Sequence, residues 1–394
     1  MKRPGSVTAV TTAVLLGFAA AFPSLEELAG RVERRASTEL IGDLATLGDG
    51  DLTRTGKDIK AILQAQAPGF DAGSTFSGAN STGCGRGGGD GDDPCCIWKR
   101  IADEMREAMV GSAGRCNNVA RAAVRLGFHD AASWSKSTGP GGGADGSIVL
   151  AGECESRSEN NGLQDICGQM RRWFDKYRGH NVSMADLIQT AANVGTVVCP
   201  LGPRVRTFVG RRDSDRPAPE GLIPLPSQGA DELIALFADK TIAADGLVAL
   251  VGAHSSAQQR FVAPNRSGDP LDSTPGVWDT NFYGEVLDAN APRRVFKLQS
   301  DVSLSKDPRT SATWQAFVGT RGQGPWDGAY SREYVRLSLL GVDNINSLTE
   351  CTKVLPPFIP TFTNPDEPRL NQYLTGDTPV PESNTLMDGN RLGD

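Results

Sequence analysis

Arg125 and His129 lie four residues apart in VRLGFHDA, the stretch from Val124 to Ala131. On a helix this spacing puts both side chains on one face, a guanidinium beside an imidazole. Such a pair can take a proton from one substrate atom while stabilising negative charge that develops on the next. The plain alternative is an arginine paired with a carboxylate and a histidine satisfied in the core. A second histidine shifts the balance. In LVALVGAHSSAQ, Leu247, Leu250, Val251 and His254 fall at i, i+3, i+4 and i+7, so His254 ends an apolar face. A buried imidazole there needs a partner, and a metal is one candidate. The third histidine, His180, ends FDKYRGH and reads as a helix-terminal surface residue.

Oxygen-bearing side chains gather near both histidines. Asp130 precedes GGGADGS, where Gly143, Asp145 and Ser147 alternate, and Ser255 precedes DSTPGVWD, where Asp272, Thr274 and Asp279 surround a Pro-Gly turn. Alternating carboxylate, hydroxyl and carbonyl groups suit a hard cation such as calcium. Taken singly each loop is an ordinary surface turn. Each, however, adjoins a histidine, so a bound ion would fix the end of the helix that presents it.

The elements that must position these groups read as helices. Ile97, Ile101, Met105, Ala108 and Met109 repeat at helical spacing, as do Val119, Ala123 and Leu126 in the stretch leading to His129. LQDICGQMRRWFDKY, SMADLIQTAANVG with a capping-box-like Ser183 and Asp186, ADELIALFADK, DGLVALVGAHSSAQ and DGAYSREYVRLSLLG repeat the pattern. Strand signals are few and short, and no internal repeat is visible.

Hydrophobic residues make up 39% of the 394 and aromatics 6%, with 46 glycines and 24 prolines, which marks a loop-rich globular chain rather than a coiled coil or a membrane protein. A formal charge of −7 offers no basic patch for nucleic acid or an anionic membrane surface. Lys2 and Arg3 before the apolar VTAVTTAVLLGFAAAF give residues 1–21 the order of a secretory signal peptide, and RVERR ending at Arg35 marks 22–35 as a propeptide. Polar, glycine-rich residues 36–83 read as a flexible leader, 84–355 as the domain, and 356–394 as a proline-rich tail lying extended over it or loose. Eight cysteines, none in a CxxC pair, argue for up to four disulfides in an exported, extracellular protein. Sequons at Asn80, Asn181 and Asn265 are compatible with glycosylation.

From about Cys84 to beyond Cys351 the sequence resembles the secreted fungal (class II) branch of the plant-type haem peroxidase superfamily, of the generic, low-redox-potential type. The resemblance is carried, in order, by CC-x-W from Cys95 to Trp98, RLGFHDA, GGGADGS, ENNGL from Glu159 to Leu163 and GRRDS from Gly210 to Ser214. GLIPLP, GAHS, DSTPGVWD and LQSD from Leu298 to Asp301 follow. It implies an all-α, mainly helical fold, two helical halves around one haem b, with minimal β structure. It also implies that His254 is the axial ligand of the haem iron and that Asp301 accepts from its other ring nitrogen. His129 would be the base that moves a proton across hydrogen peroxide, Arg125 would stabilise the developing charge, and Asn160 would hold the tautomer of His129.

Two calcium ions are implied as well: a distal one on Asp130, Gly143, Asp145 and Ser147, and a proximal one on Ser255, Asp272, Thr274, Val277 and Asp279. Cys84–Cys96, Cys95–Cys351 and Cys116–Cys199 fit the family's bridges. Cys154–Cys167, the pair left over, departs from them and replaces a bridge near the carboxyl end, where Ala312 and its neighbours lack cysteine. The expected reaction is oxidation of phenolic and other small aromatic donors by a monomer that uses hydrogen peroxide and binds neither nucleic acid nor membrane.

Asn118, Ala122 and Arg260 occupy the approximate positions of the three acids of manganese-oxidising relatives, and Ala249 that of the exposed tryptophan of ligninolytic ones. Neither manganese oxidation nor that tryptophan route is therefore expected. Leu271 stands where an aromatic residue is frequent, which argues against a tryptophan radical there. A non-catalytic secreted haem-binding protein would need a lost catalytic residue. A Ser-His-Asp hydrolase on His254 and Ser255 or Ser256 would lack the G-x-S-x-G elbow.

Overall fold

The computed structural model describes residues 36–76, 93–376 and 381–392. The helix carrying Arg125 and His129 spans Asn118–Ala131. It starts where Asn117, in extended backbone, accepts through Oδ1 from the N–H groups of Val119 (2.9 Å) and Ala120 (3.2 Å). This satisfies two of the donors that a helix start leaves open.

Its main packing partner is the helix Met184–Val198, in which every residue is buried. Glycines allow the close crossing: a Cβ on Gly127 would lie 2.6 Å from the Ala192 Cβ, and one on Gly195 2.7 Å from the Ala120 carbonyl oxygen. Ser183 caps the buried helix by accepting from the Asp186 N–H at 3.1 Å. The reciprocal half of the expected box is absent, because the Asp186 carboxylate accepts from Arg211 Nη1 (2.9 Å) and the Gly210 N–H (2.6 Å). A buried ion pair has taken the acid that a helix start would otherwise use.

Around this pair stand the helices Cys96–Met109, Gln164–Tyr177, Ala230–Ala238, Ala244–Val251, Asn281–Leu287, Gln299–Lys306, Ser311–Ala316 and Gln323–Leu337. Among the described residues the one sheet is a pair of two-residue strands, Phe208–Val209 antiparallel to Thr349–Glu350. The fold is therefore mainly helical with minimal β structure, as expected.

The reading of residues 36–83 as a flexible leader needs correction for residues 36–76, while 77–83 lie outside the described residues. Residues 54–63 form a helix whose Ile59, Ile62 and Leu63 are fully buried in the main core. Arg336 anchors the segment by donating to the carbonyl oxygens of Ser37 (2.8 Å), Glu39 (2.8 Å) and Leu63 (2.9 Å). A Cβ on Gly69 would come within 2.4 Å of the Arg332 backbone nitrogen, so the chain is pressed onto the helix Gln323–Leu337. Thr53 caps the docked helix, accepting from the Gly56 N–H at 2.9 Å and donating to the Asn346 carbonyl oxygen at 2.6 Å. Thr53→Ala is expected to lower the unfolding free energy by roughly 0.5–2 kcal/mol. Denaturant unfolding reads this, and an unchanged midpoint would mean the segment contributes nothing.

The tail is neither wholly extended nor loose. After residues 356–364, which have no regular secondary structure, it forms the helices Glu367–Thr375 and Pro381–Met387, with their own small core of Leu370, Tyr373, Leu374, Leu386 and Leu392. Fully buried Arg115 latches it, pairing in bidentate fashion with Asp366 at 2.6 and 2.8 Å.

Disulfides join Cys95–Cys351, Cys116–Cys199 and Cys154–Cys167. Cys116–Cys199 ties the residue before the Asn117 cap to the residue after Val198, stapling the two crossed helices together. Cys84, the expected partner of Cys96, lies outside the described residues, as do Asn80 and residues 1–35. No helix among the described residues is long and apolar enough to cross a membrane.

Candidate functional site

His129 is buried, 7% exposed, on the inner face of its helix. Its Nδ1 lies 2.9 Å from Asn160 Oδ1. The orientation of the Asn160 amide follows from its other end: Nδ2 donates to the Glu153 carbonyl oxygen at 3.0 Å, which turns Oδ1 toward the ring. Nδ1 therefore carries the proton, and Nε2 is left as a bare acceptor. Burial, then the Arg125 charge, pushes the imidazole pKa down to about 3, against a smaller upward effect of Asn160. The ring is neutral near pH 7 and ready to accept.

Arg125 stands one turn earlier. Its Nη1 and Nη2 donate to the carbonyl oxygens of Asn161 (2.9 Å) and Glu159 (3.1 Å), and no carboxylate among the described residues pairs with it. Burial lowers its pKa to about 10, so it stays charged. The loop that orients both side chains is held by Cys154–Cys167, whose cysteines bracket residues 159–161. The bridge that departs from the family pattern thus clamps the partners of both Arg125 and His129.

His254 sits on a 3-10 turn, Gly252–Ser256, that continues the helix Ala244–Val251. Its Nδ1 lies 3.1 Å from Oδ2 of Asp301, which is 1% exposed, while the imidazole side chain itself is 34% exposed. An acid at Nδ1 makes that nitrogen the donor and leaves Nε2 free to coordinate. Phe282 meets this ring edge-on at 5.8 Å, and Phe128 meets His129 edge-on at 5.7 Å.

The segment after His254 returns to the His129 helix. Gln258 Oε1 accepts from Arg121 Nη2 at 3.1 Å. A Cβ on Gly162 would lie 2.9 Å from the Phe261 ring and 3.4 Å from Arg125 Nη1, so Phe261 borders the same loop as Arg125. Two imidazoles with free Nε2 atoms, an unneutralised guanidinium and apolar ring edges are a donor set that fits a haem.

The oxygen-rich loops fold as two separate cradles. Asp130 and Asp272 are fully buried, and Asp130 Oδ1, Ser147 Oγ, Ser255 Oγ and Asp272 Oδ2 are buried with no hydrogen-bond partner. Orphaned oxygens of this kind are costly unless something positive meets them. Burial and then the Asp145 charge raise the Asp130 pKa well above the carboxylate range, and burial and then Asp279 do the same to Asp272. Asp145 is raised by burial, and Asp279 is raised to about 6 by burial. At Gly143, φ is +98° and a Cβ would lie 2.2 Å from the Leu340 carbonyl oxygen, so only glycine serves there. Thr274 donates its N–H to Asp272 Oδ1 at 2.9 Å, and the Val277 N–H donates to the Thr274 carbonyl oxygen at 3.0 Å. No group of three or more His, Cys, Asp or Glu side chains among the described residues is arranged to hold a metal ion by itself. Each cradle instead combines two acids with hydroxyls and backbone, as hard-cation sites do.

The family model described as Peroxidase matches residues 101–320. The chain belongs to the peroxidase family. Manganese peroxidase 3 of Phlebia radiata is 34% identical over 287 residues, 67% of this chain and 77% of the relative. Ligninase C of Trametes versicolor is 34% identical over 291 residues, 66% and 75% of the two chains. A peroxidase of Arthromyces ramosus is 32% identical over 323 residues, 76% and 84%. This is a haem-dependent enzyme of the fungal, plant-type branch.

Two residues of the peroxidase were missed in the sequence. Phe261 is 60% exposed beside the Arg125 loop, and an aromatic residue in the polar QQRFVAPN segment was the available signal. Arg121 is 8% exposed and lies close enough to Arg260 for each guanidinium to repel the other; burial and then that repulsion lower its pKa to about 10. Its packing against Gln258 spans 137 residues, which no local pattern reveals. His180 is half-buried at the end of the short turn Arg178–His180.

Proposed function

We propose that this peroxidase cleaves hydrogen peroxide with His129 and Arg125 and oxidises phenolic and other aromatic donors in successive one-electron steps, without a manganese site. The observation that carries the reading is the Asn160 amide, anchored on Glu153 so that His129 offers a bare Nε2. That nitrogen takes the proton of bound peroxide and returns it to the departing oxygen, which leaves as water. Arg125 holds the charge that develops as the O–O bond breaks, undiminished by any carboxylate among the described residues. His254 would hold the iron of one haem b, with Asp301 fixing the orientation of its ring. Bound there, haem b supplies the iron and porphyrin that store the two oxidising equivalents of peroxide.

Two calcium ions complete the site. The distal ion would bind Asp130, Gly143, Asp145 and Ser147, next to His129. The proximal ion would bind Ser255, Asp272, Thr274, Val277 and Asp279, next to His254. The orphaned oxygens in both cradles support them. Phe261, exposed beside Arg125, supports an aromatic donor that meets the protein at this edge.

A manganese ion is disfavoured by charge. Asn118 and Ala122 offer no carboxylate, and Arg260 puts a positive side chain where the third acid would stand. Ala249 is fully buried and accepts from Trp326, so it offers no exposed aromatic surface. The reading extends to an exported, extracellular monomer with 1–21 as signal peptide and 22–35 as propeptide; exposed Asn181 and Asn265 are compatible with glycans. The hydrolase alternative has no support: Asp301 engages His254 Nδ1, but Ser256 Oγ donates to the Ala253 carbonyl oxygen and Ser255 Oγ has no partner, so neither hydroxyl is bonded to the ring.

The test is the absorption spectrum of the haem-loaded chain before and after one equivalent of peroxide, followed by donor assays. A rapid spectral change reversed by phenols, with negligible turnover of manganese(II), is expected. Haem that ignores peroxide would favour the non-catalytic haem-binding alternative. Efficient manganese(II) oxidation would overturn the donor assignment.

A further inference from the structure

Beneath the turn that carries His254 lies a continuous set of buried rings. Phe282, edge-on to His254, contacts Trp314 at 5.5 Å and Tyr283 at 5.3 Å. Tyr283 contacts Trp326 at 5.7 Å, and Trp326 lies face to face with Trp278 at 5.3 Å and 5° between planes. Trp278, Trp314, Trp326 and Tyr283 are all fully buried.

The rings touch the His254 turn directly. A Cβ on Gly252, two residues before His254, would lie 2.3 Å from Tyr283 Oη and 2.4 Å from Trp326 Nε1. Trp326 Nε1 donates to the Ala249 carbonyl oxygen at 2.9 Å, and Tyr283 Oη to the Val248 carbonyl oxygen at 2.8 Å. Packing alone does not explain two indoles here. Trp278 Nε1 is buried with no hydrogen-bond partner, a cost that phenylalanine would avoid at the same stacking position.

We propose that the stacked indoles of Trp278 and Trp326 form a one-electron reservoir for the oxidised haem site when no donor is present. The inference rests on His254 as the haem ligand. One electron leaves the indole pair and reduces the oxidised site by one equivalent, and the pair keeps the resulting cation. No proton need move. The Trp326 N–H faces a carbonyl oxygen, which is not a base, and the Trp278 N–H faces no acceptor. The cation is shared over two parallel ring faces, each stabilising positive charge on the other.

Tyrosine is the poorer resting place, because its one-electron oxidation at neutral pH requires loss of the phenolic proton. Tyr283 faces only a carbonyl oxygen, and burial, then the nearby Asp301 carboxyl group, disfavours its anion. A later electron from a phenolic donor refills the pair through the haem site. Meanwhile the site carries one oxidising equivalent less and is less prone to self-destruction by further peroxide.

The experiment is rapid-freeze electron paramagnetic resonance of the haem-loaded, full-length chain mixed with peroxide and no donor. The wild-type chain is grown on ordinary or ring-deuterated tryptophan, so the assignment needs no variant. An organic radical whose lines narrow on tryptophan deuteration is expected. Trp278→Phe and Trp326→Phe should each reduce it several-fold and hasten haem bleaching by excess peroxide, with the resting spectrum and phenol turnover at saturating donor unchanged. A radical indifferent to tryptophan deuteration, or a site oxidised by peroxide with no organic radical, overturns the reservoir alone. A chain that binds no haem overturns the His254 assignment and the reservoir with it.

Discussion

Replacing His129 with leucine is expected to slow the reaction of the haem-loaded chain with peroxide by roughly 10²–10⁴-fold. The substitution keeps an apolar side chain in a buried position, so the fold has little reason to fail, while the acceptor nitrogen is lost. Stopped-flow absorbance on mixing with peroxide reads the step before any donor is involved. Arg125→Leu should act in the same direction by roughly 10²–10³-fold, through loss of the charge that stabilises the breaking bond. The pH profile supplies a second readout. A base works in its unprotonated form, and burial holds the His129 pKa to about 3. The rate constant for peroxide should therefore stay level from neutral pH down to mildly acidic pH and fall only as pH nears 3. Asn160→Ala keeps the ring but frees its tautomer, so it should give an intermediate loss. An unchanged rate in His129→Leu would remove His129 from the proton transfer and the proposed mechanism with it.

What could be read from the chain and what could not follow the range of the interactions. The facing of Arg125 and His129 is a property of four consecutive helical steps, and the apolar run ending at His254 is another local pattern. Their partners are distant. Asn160 lies 31 residues from His129, and Asp301 lies 47 residues from His254. These came only through the ordered motifs of a family. The docked segment before Cys84 escaped both routes. Its helix is ten residues long and its surroundings are polar and glycine-rich, so composition suggested a tether. Its anchor is Arg336, almost 300 residues away, which reads as an exposed basic position in an amphipathic helix but is 1% exposed and bonded to backbone carbonyls. Asp186 misled for the complementary reason, since a capping acid and a buried ion-pair acid look alike until Arg211 is brought beside it. The aromatic stack under His254 was equally hidden, because Trp278 and Trp326 lie 48 residues apart in separate elements and meet face to face only once the chain has folded.

Stripping calcium is expected to destabilise the protein, and by more at neutral than at acidic pH. At free calcium a hundredfold above each dissociation constant, each of two ions would contribute about 2.7 kcal/mol through its preference for the folded chain. The pH dependence follows from the cradle acids. In the cation-free fold, burial raises Asp130, Asp145, Asp272 and Asp279, with neighbouring carboxylates adding to the shift of Asp130 and Asp272. An acid whose folded pKa exceeds its unfolded value of about 3.9 binds its proton more tightly when folded. The stripped chain is thus most stable where these acids are protonated, and it loses stability as pH rises from about 4 through the folded values, near 6 for Asp279. Calcium bound in the proposed cradles would replace those protons, so the loaded chain would escape that loss. Thermal unfolding of stripped and calcium-loaded samples should show a gap in midpoint that widens from mildly acidic to neutral pH. Because Asp130 follows His129 and Ser255 follows His254, loss of the ions should also loosen both rings before global unfolding, visible as a changed haem spectrum below the unfolding midpoint. A gap that ignores pH would detach the stabilising ion from these four carboxyl groups.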